Sequence, residues 1–264
     1  MKKIKKEIID LIIQEYQEGK SLRFIVRKYK IGIGTTHKYT KQEGIVRKHN
    51  IIEKVQSKDE RLIGVYIGLW MGDGTQYPDK GYTIKICGNK LDLRLNEFIQ
   101  QTIYNLFGKT SRIYKVSNTN QAWVIFKSKF IYDFVYNYIT QLYKQKTYTV
   151  QLKCGVEKYS DDFLEGYLLG LALSDGYLKN KFYFNVTSKK LSINMIDILI
   201  RFGYTPRAYI LKREKYGWKD LHMVRLISSE TRNLNEFLDE ILKRLSCAYT
   251  FKELKYENIE MGTA

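Results

Sequence analysis

Two aspartates carry the clearest chemical signal in this sequence. Asp73 falls near the end of the stretch RLIGVYIGLWMGDG and Asp175 near the end of FLEGYLLGLALSDG, 102 positions apart and in the same register. Gly64, Gly68 and Gly72 recur four apart before the first acid, and Gly166, Gly170 and Ser174 do so before the second. At helical spacing each set makes a bare stripe on one face. Side chains normally hold helix axes about 8–10 Å apart, so two bare stripes facing each other allow a closer approach. The two helices are expected to pair and to bring Asp73 and Asp175 together at their C-terminal ends. The next residue, Gly74 or Gly176, suits the C′ position of a helix stop. Two carboxylates beside the negative pole of two helices repel each other, and a bound cation is the natural compensation. The carboxylates, with the last-turn carbonyls of Gly72 and Ser174, form an oxygen-only set suited to Mg²⁺ or another divalent cation. Such a site can activate water and stabilise the leaving oxygen in phosphodiester hydrolysis. A single Asp-Gly after a helix is an ordinary stop signal, whereas the stripe, acid and glycine occurring twice point to function.

The elements that must position these acids repeat with them. Each motif helix is followed by an alternating, half-buried strand pattern, Tyr82 to Cys87 and Phe182 to Thr187. A helix follows in both copies, with Leu91, Leu95, Phe98 and Ile99 answering Leu191, Met195, Ile198 and Leu199, and Phe107-Gly108 and Phe202-Gly203 as its stops. Two further strands, the last from Ala122 to Lys127 and from His222 to Ile227, lead into final helices near Lys129 and Glu230. The expected fold class is α+β, with two αββαββα repeats over residues 59–155 and 156–264. Ahead of them, residues 1–45 read as three short helices. The first reaches Tyr16 and is stopped by Gly19, Ser21 caps the second, and Thr35 or Thr36 opens the third after a turn at Gly32 and Gly34. This helix-turn-helix pattern places His37, Lys38, Lys41 and Gln42 where they can reach phosphates or base edges. Residues 46–58 are a basic linker suited to a phosphate backbone.

Composition narrows the partner. Lys and Arg number 45 against 28 Asp and Glu, a net charge of +17, which favours a polyanion, nucleic acid first. Hydrophobic residues make up 44% of the chain, enough for a core and too many for a disordered chain. Cys87, Cys154 and Cys247 stand singly, offering neither a disulfide framework nor a CxxC zinc site. A reduced, intracellular setting is expected, in cytoplasm or an organelle matrix. No apolar run is long enough to span a membrane, and Glu7, Asp10 and Glu15 interrupt the N-terminal one. His37, His49 and His222 lack metal-ligand spacing and are given no catalytic role.

With the nonapeptides Tyr66-Ile-Gly-Leu-Trp-Met-Gly-Asp-Gly74 and Leu168-Leu-Gly-Leu-Ala-Leu-Ser-Asp-Gly176, the sequence resembles the LAGLIDADG homing endonucleases over residues 60 to 250. The resemblance implies a single-chain, pseudo-two-fold pair of repeats whose two antiparallel sheets form a saddle over the DNA major groove. It also implies that the motif acids, Asp73 and Asp175, bind divalent metal and that each site cuts one strand. Similar members carry a basic residue just after the first strand hairpin. Val186-Thr-Ser-Lys189 matches that place in the second repeat, so Lys189 is expected to stabilise transition-state charge or polarise water. In the first repeat Asn89 stands there, unless Lys90 swings in, which points to unequal chemistry on the two strands. Strand residues alternating with apolar positions are expected to line the saddle: Thr83, Lys85, Lys127, Tyr183, Asn185, Thr187 and Arg225. Arg112, Tyr114, Arg207 and Lys212 lie in second-hairpin regions whose register the sequence leaves open.

The leading expectation is a monomeric, site-specific, divalent-metal-dependent endonuclease acting on double-stranded DNA. Two alternatives use the same fold without requiring DNA cleavage: an intron maturase binding RNA, and a transcription regulator that only binds DNA. Retention of both acids argues against a pure binder. The chain starts at Met1 and lacks a terminal His-Asn, so a free-standing protein rather than an intein is expected.

Overall fold

The computed structural model describes residues 4–18, 20, 22–42, 54–141 and 145–256. Gly19, Ser21, His49 and most of the 46–58 linker lie outside these, as do the side chains of Lys41 and Gln42. The chain divides into two compact units, residues 1–54 and 55–264. In the first, α1 (Lys6–Gln17), α2 (Leu22–Tyr29) and α3 (Ile33–Gln42) enclose Ile12, Ile25 and Thr36, all fully buried. Helix α3 starts before Thr35, and the turn expected at Gly32 and Gly34 begins at Lys30, left-handed at φ 52°. Gly34 instead lies within the first turn of α3. Tyr29 Oη donates to Glu15 Oε1 (3.1 Å) across α1 and α2.

The second unit begins with α4 (Glu60–Asp73), β1 (Gly74–Tyr77), β2 (Thr83–Asn89), α5 (Leu93–Phe107), β3 (Arg112–Lys115), β4 (Gln121–Lys127) and α6 (Lys129–Val135). A small connection follows, made of β5 (Ile139–Thr140), α7 (Lys146–Thr149) and β6 (Gln151–Leu152), with β5 and β6 paired antiparallel. The order then recurs as α8 (Asp161–Ser174), β7 (Gly176–Leu178), β8 (Phe182–Val186), α9 (Lys189–Arg201), β9 (Arg207–Leu211), β10 (Leu221–Arg225) and α10 (Ser228–Arg244), closed by α11 (Phe251–Tyr256). Each repeat builds one antiparallel four-stranded sheet, in the orders β1-β2-β4-β3 and β7-β8-β10-β9. The fold is α+β, two αββαββα repeats preceded by a helical segment.

Register follows from alternation. Ile84, Ile86, Val124 and Phe126 of the first sheet, and Phe182, Phe184 and Val224 of the second, turn into the core. The motif helices are apolar nearly all round, as befits central elements: Val65 to Met71 of α4 and Phe163 to Leu173 of α8 are buried. Asp59 caps α4 by accepting from the Arg61 and Leu62 amides (2.9 and 3.3 Å), and Ser160 caps α8 through the Phe163 amide (3.1 Å). Between these N-terminal ends Glu165 accepts from Arg61 Nε (2.8 Å) and Arg244 Nη1 (3.0 Å), tying α4, α8 and α10 together.

Gly74 and Gly176 are not left-handed helix stops. Gly74 is extended (φ −80°, ψ 146°) and each opens a strand. Their constraint is space: a Cβ on Gly74 would lie 2.4 Å from the Trp70 carbonyl oxygen, and one on Gly176 2.6 Å from that of Ala172. The chain must leave each helix tightly enough to turn straight into a sheet.

Candidate functional site

The seam between α4 and α8 sets the site. A Cβ on Gly64 would meet the Phe163 carbonyl oxygen at 2.0 Å, one on Gly166 that of Arg61 at 1.8 Å, one on Gly68 that of Tyr167 at 2.4 Å, and one on Gly170 that of Val65 at 2.4 Å. These glycines therefore allow backbone against backbone over two turns. At the C-terminal ends, a Cβ on Gly72 would stand 2.0 Å from Ser174 Oγ and 3.1 Å from Asp175 Oδ2. Asp73 and Asp175 are thus brought together, both half-buried.

That closeness shows in their ionisation. Burial lifts the Asp73 carboxyl to about 6, the Asp175 charge adds to the rise, and Lys255 and Lys146 oppose it. Asp175 is also raised, mainly by burial and against the same two lysines. Burial pulls the Lys146 ammonium down to about 8 and lowers Lys255, while the two acids hold both up.

These lysines revise the expected constellation. Lys146 Nζ donates to the carbonyls of Gly72 (3.1 Å) and Gly74 (2.5 Å) at the end of α4. Lys255 Nζ donates to those of Leu173 and Ser174, the latter at 2.7 Å, at the end of α8. Gly72 and Ser174 carbonyls, expected as metal ligands, are already engaged by ammonium groups, because those groups answer the same negative helix poles. Ser174 Oγ turns back onto the Gly170 and Leu171 carbonyls (3.0 and 3.1 Å). Lys189 is exposed in the first turn of α9, and Lys146 and Lys255 are the cations whose charge acts on the two acids. Asn89 Oδ1 accepts from the Leu91 amide (3.1 Å), shaping the entry to α5.

Each acid opens into its own cleft. One of about 540 Å³ is lined by Asp73, Gln76, Tyr132, Gln141 and Lys146, and one of about 260 Å³ by Asp175, Asn185, Thr187, Arg213 and Lys146. In the first, both amide atoms of Gln76 and Oε1 of Gln141 are buried without a protein partner, so that cleft is built around polar contents. The repeat-related position to Gln76 is Leu178, buried and apolar. Two carboxylates converging beside orphaned amides make a hard-oxygen donor set that fits a divalent cation retaining several waters. Among the described residues no cluster of three or more His, Cys, Asp or Glu supplies a fuller cage.

The predicted strand residues divide. Lys85, Lys127, Arg112 and Tyr114 share the sheet face away from the core, since Lys85 and Arg112 both pair with Ile125 and Tyr114 with Trp123. There Lys85 Nζ lies 3.8 Å from the Trp123 ring centroid, and Tyr114 stacks on Trp123. On the second sheet Tyr183, Asn185, Arg225 and Arg207 share the corresponding face, with the Arg225 guanidinium between the Tyr183 and Tyr209 rings (4.9 and 5.0 Å). Thr83 does not line a surface. It is 7% exposed and donates to the Lys80 carbonyl (2.6 Å). Thr187 donates to the Thr147 carbonyl (2.8 Å) at the rim of the Asp175 cleft. Lys212 pairs with Asp220 (2.7 Å). In the separate N-terminal unit His37 and Lys38 are exposed on α3.

Sequence reasoning missed Lys146, Lys255, Gln76 and Gln141. Gln76 alone had a local signal, three residues beyond Asp73 in the strand that the motif helix feeds.

Comparison of the sequence with protein-family models and with curated proteins returns no match. Similar solved structures include I-DmoI in complex with DNA and Ca (15% identity, 69% of this chain and 91% of that chain, TM-score 0.48) and mesophilic variants from the homing endonuclease I-DmoI (15% identity, the same coverages, TM-score 0.49). Full-length DUF199/WhiA from Thermatoga maritima is similar at 12% identity over 79% of this chain and 63% of that chain, TM-score 0.48. At such identities the likeness concerns fold alone. Two αββαββα repeats joined along glycine-striped helices, each ending in an acid, are the architecture that the resemblance to the LAGLIDADG proteins implies.

Proposed function

We propose that this chain is a divalent-metal-dependent DNA endonuclease that makes a staggered double-strand break in a long asymmetric site by phosphodiester hydrolysis. The observation that carries the reading is the pair of acids, pressed together by the glycine seam yet facing two clefts, one for each strand. Both acids belong to one chain, so a monomer suffices. Asp73 and Asp175 would hold the cation. When bound, it would supply an activated water and charge stabilisation at the leaving oxygen. Burial at the seam raises Asp73 to about 6 and lifts Asp175 above its ordinary range, and a cation would favour their ionised forms. Lys146 and Lys255 hold the helix ends through their carbonyls and would place positive charge where phosphoryl oxygens gain negative charge. Gln76 and Gln141 offer hydrogen bonds to water in the Asp73 cleft. Lys85, Lys127, Arg112, Arg207 and Arg225 would meet phosphates and base edges along the two sheet faces, and His37 and Lys38 would add contacts outside them.

A second reading rests on one specific feature. Lys146 and Lys255 already balance the two acids, so the site is neutral without metal and the fold can serve as a nucleic-acid-binding module alone. One experiment separates the two. The full chain is incubated with a genomic or randomised DNA library in Mg²⁺ or in EDTA, and new ends are sequenced. Mg²⁺-dependent ends at one long site support the endonuclease, whereas site-selective binding with no new ends supports the binding module.

A further inference from the structure

The outer hairpins of the two sheets are built differently. In the first repeat β3 and β4 are joined by residues 116–120, Val-Ser-Asn-Thr-Asn, with no charged or aromatic side chain. In the second, β9 and β10 are joined by residues 212–220, Lys-Arg-Glu-Lys-Tyr-Gly-Trp-Lys-Asp, with four cations and two acids. This longer loop is ordered by its own bonds. Lys212 pairs with Asp220 at its base (2.7 Å). The Tyr216 and Trp218 amides donate to the Arg213 carbonyl (2.9 and 3.3 Å), and that of Gly217, at φ 68°, donates to the Glu214 carbonyl (2.8 Å). Arg213 Nε donates to the Lys219 carbonyl (2.9 Å).

What this scaffold presents is aromatic surface. Tyr216 and Trp218 are 59% and 63% exposed, their ring centroids 5.8 Å apart. Arg213 lies over the Trp218 ring (5.5 Å) and Lys215 over that of Tyr216 (4.8 Å). Exposed rings on an ordered, cationic loop suit a partner with both π-faces and negative charge. The loop also has a telling location. Arg213 lines the cleft of Asp175, and His222, just beyond the loop, pairs with Val186 at the end of β8.

We propose that this loop is an aromatic wedge: Trp218, backed by Tyr216, stacks on a base at the step beside the strand served by Asp175 and unstacks it, while Arg213 meets the adjoining phosphate. The proposal rests on the DNA-cleaving reading above and makes distortion one-sided, because the first repeat has a short turn without aromatic residues at the corresponding place. Insertion of an apolar side chain at a base step is a general way to kink a duplex.

The test uses the full chain. One duplex is enriched from a randomised library in Ca²⁺, 2-aminopurine is placed at successive central positions, and cleavage of the same duplex in Mg²⁺ is followed alongside. A fluorescence rise at one or two adjacent positions on one side of the centre is expected. Trp218→Ala should abolish it and weaken binding about 5- to 150-fold, the effect of one lost base–aromatic stack. Trp218→Phe should restore much of both. Flat 2-aminopurine signals in a complex that is bound and cleaved, or Trp218→Ala behaving as the parent, would overturn the wedge and leave the endonuclease standing. Failure to enrich any duplex, or enrichment of RNA from a parallel pool in its place, would overturn both.

Discussion

Replacing Gly68 by alanine should destabilise this protein, although the same change in an ordinary helix interior stabilises it by about 1 kcal/mol. The added methyl would lie 2.4 Å from the Tyr167 carbonyl oxygen, 2.9 Å from the Leu171 amide nitrogen and 3.0 Å from the Gly170 Cα. All three are backbone atoms, so no rotamer change relieves the overlap. The helices must part by roughly 1 Å, a gap that forfeits a quarter to a half of the dispersion attraction across it. Overpacking costs about 1–3 kcal/mol, and a backbone-on-backbone clash belongs at the upper end. After the propensity gain the net loss is about 2 kcal/mol, or about 4–8 °C in Tm for a unit of this size. Urea and thermal denaturation of the parent, Gly68→Ala, Gly170→Ala and the double variant would measure it. Gly68 and Gly170 share the seam, so the first substitution opens room for the second and the double variant should lose less than the sum. Gly34→Ala is the internal contrast, since no atom lies within 4 Å of its Cβ position. If Gly68→Ala is stabilised by about 1 kcal/mol, as at a solvent-facing helix glycine, the close seam is wrong.

Further predictions concern the site. For Asp73 the folded pKa, about 6, lies above the ordinary aspartate value of 3.8, so its contribution is present below pH 4 and lost as pH rises through 6. Asp73→Asn should therefore flatten that part of the pH–stability profile in EDTA, with an upper bound of roughly 3 kcal/mol, while abolishing cleavage and the Tm rise given by Mg²⁺; an unchanged profile would place Asp73 in water. Lys146→Met and Lys255→Met should each lower the cleavage rate at least tenfold with DNA affinity within about threefold, and calorimetry should show altered Mg²⁺ binding; parental rates in both would remove the lysines from the site. Gln76→Leu copies the apolar second repeat and should slow one strand selectively, so that nicked plasmid accumulates; equal slowing of both strands would refute a role confined to one cleft. Deleting residues 1–54 should flatten the slope of log K against log salt by about 0.9 per lost phosphate contact and leave the cut position unchanged; an identical slope would make that unit a non-binding appendage.

Legibility from sequence tracked the range of the interactions. The motif helices and their seam were readable because the spacing of Gly64, Gly68 and Gly72, and of Gly166, Gly170 and Ser174, is local and occurs twice. Strand faces were readable where alternation held, as at Lys85 and Arg225. It failed at Thr83, where the turn preceding the strand, not the strand's period, decides burial. Gly74 and Gly176 were misread because a glycine after a helix suits either a left-handed stop or a close approach. Lys146 and Lys255 had no such local signal: each reaches its motif helix from an element more than 70 residues downstream. Motif-based transfer favoured Lys189 because its sequence neighbourhood fitted, and its side chain is exposed at the start of α9.

The lysines also change how the acids must be understood. Asp73 and Asp175 alone at two helix C-termini would be strongly destabilising, and a metal would be required merely to hold the fold together. With Lys146 on the end of α4 and Lys255 on the end of α8, the charges balance in pairs and each ammonium satisfies carbonyls that the helices leave open. The fold can therefore stand without a cation, and under the proposed function the cation would be free to come and go with substrate. The balance is nevertheless incomplete, since burial still holds Asp73 well above its ordinary range despite two nearby cations. Under the proposed function that residual misfit would favour metal binding, and a substitution that widens the glycine seam should relieve the acids and weaken metal binding together.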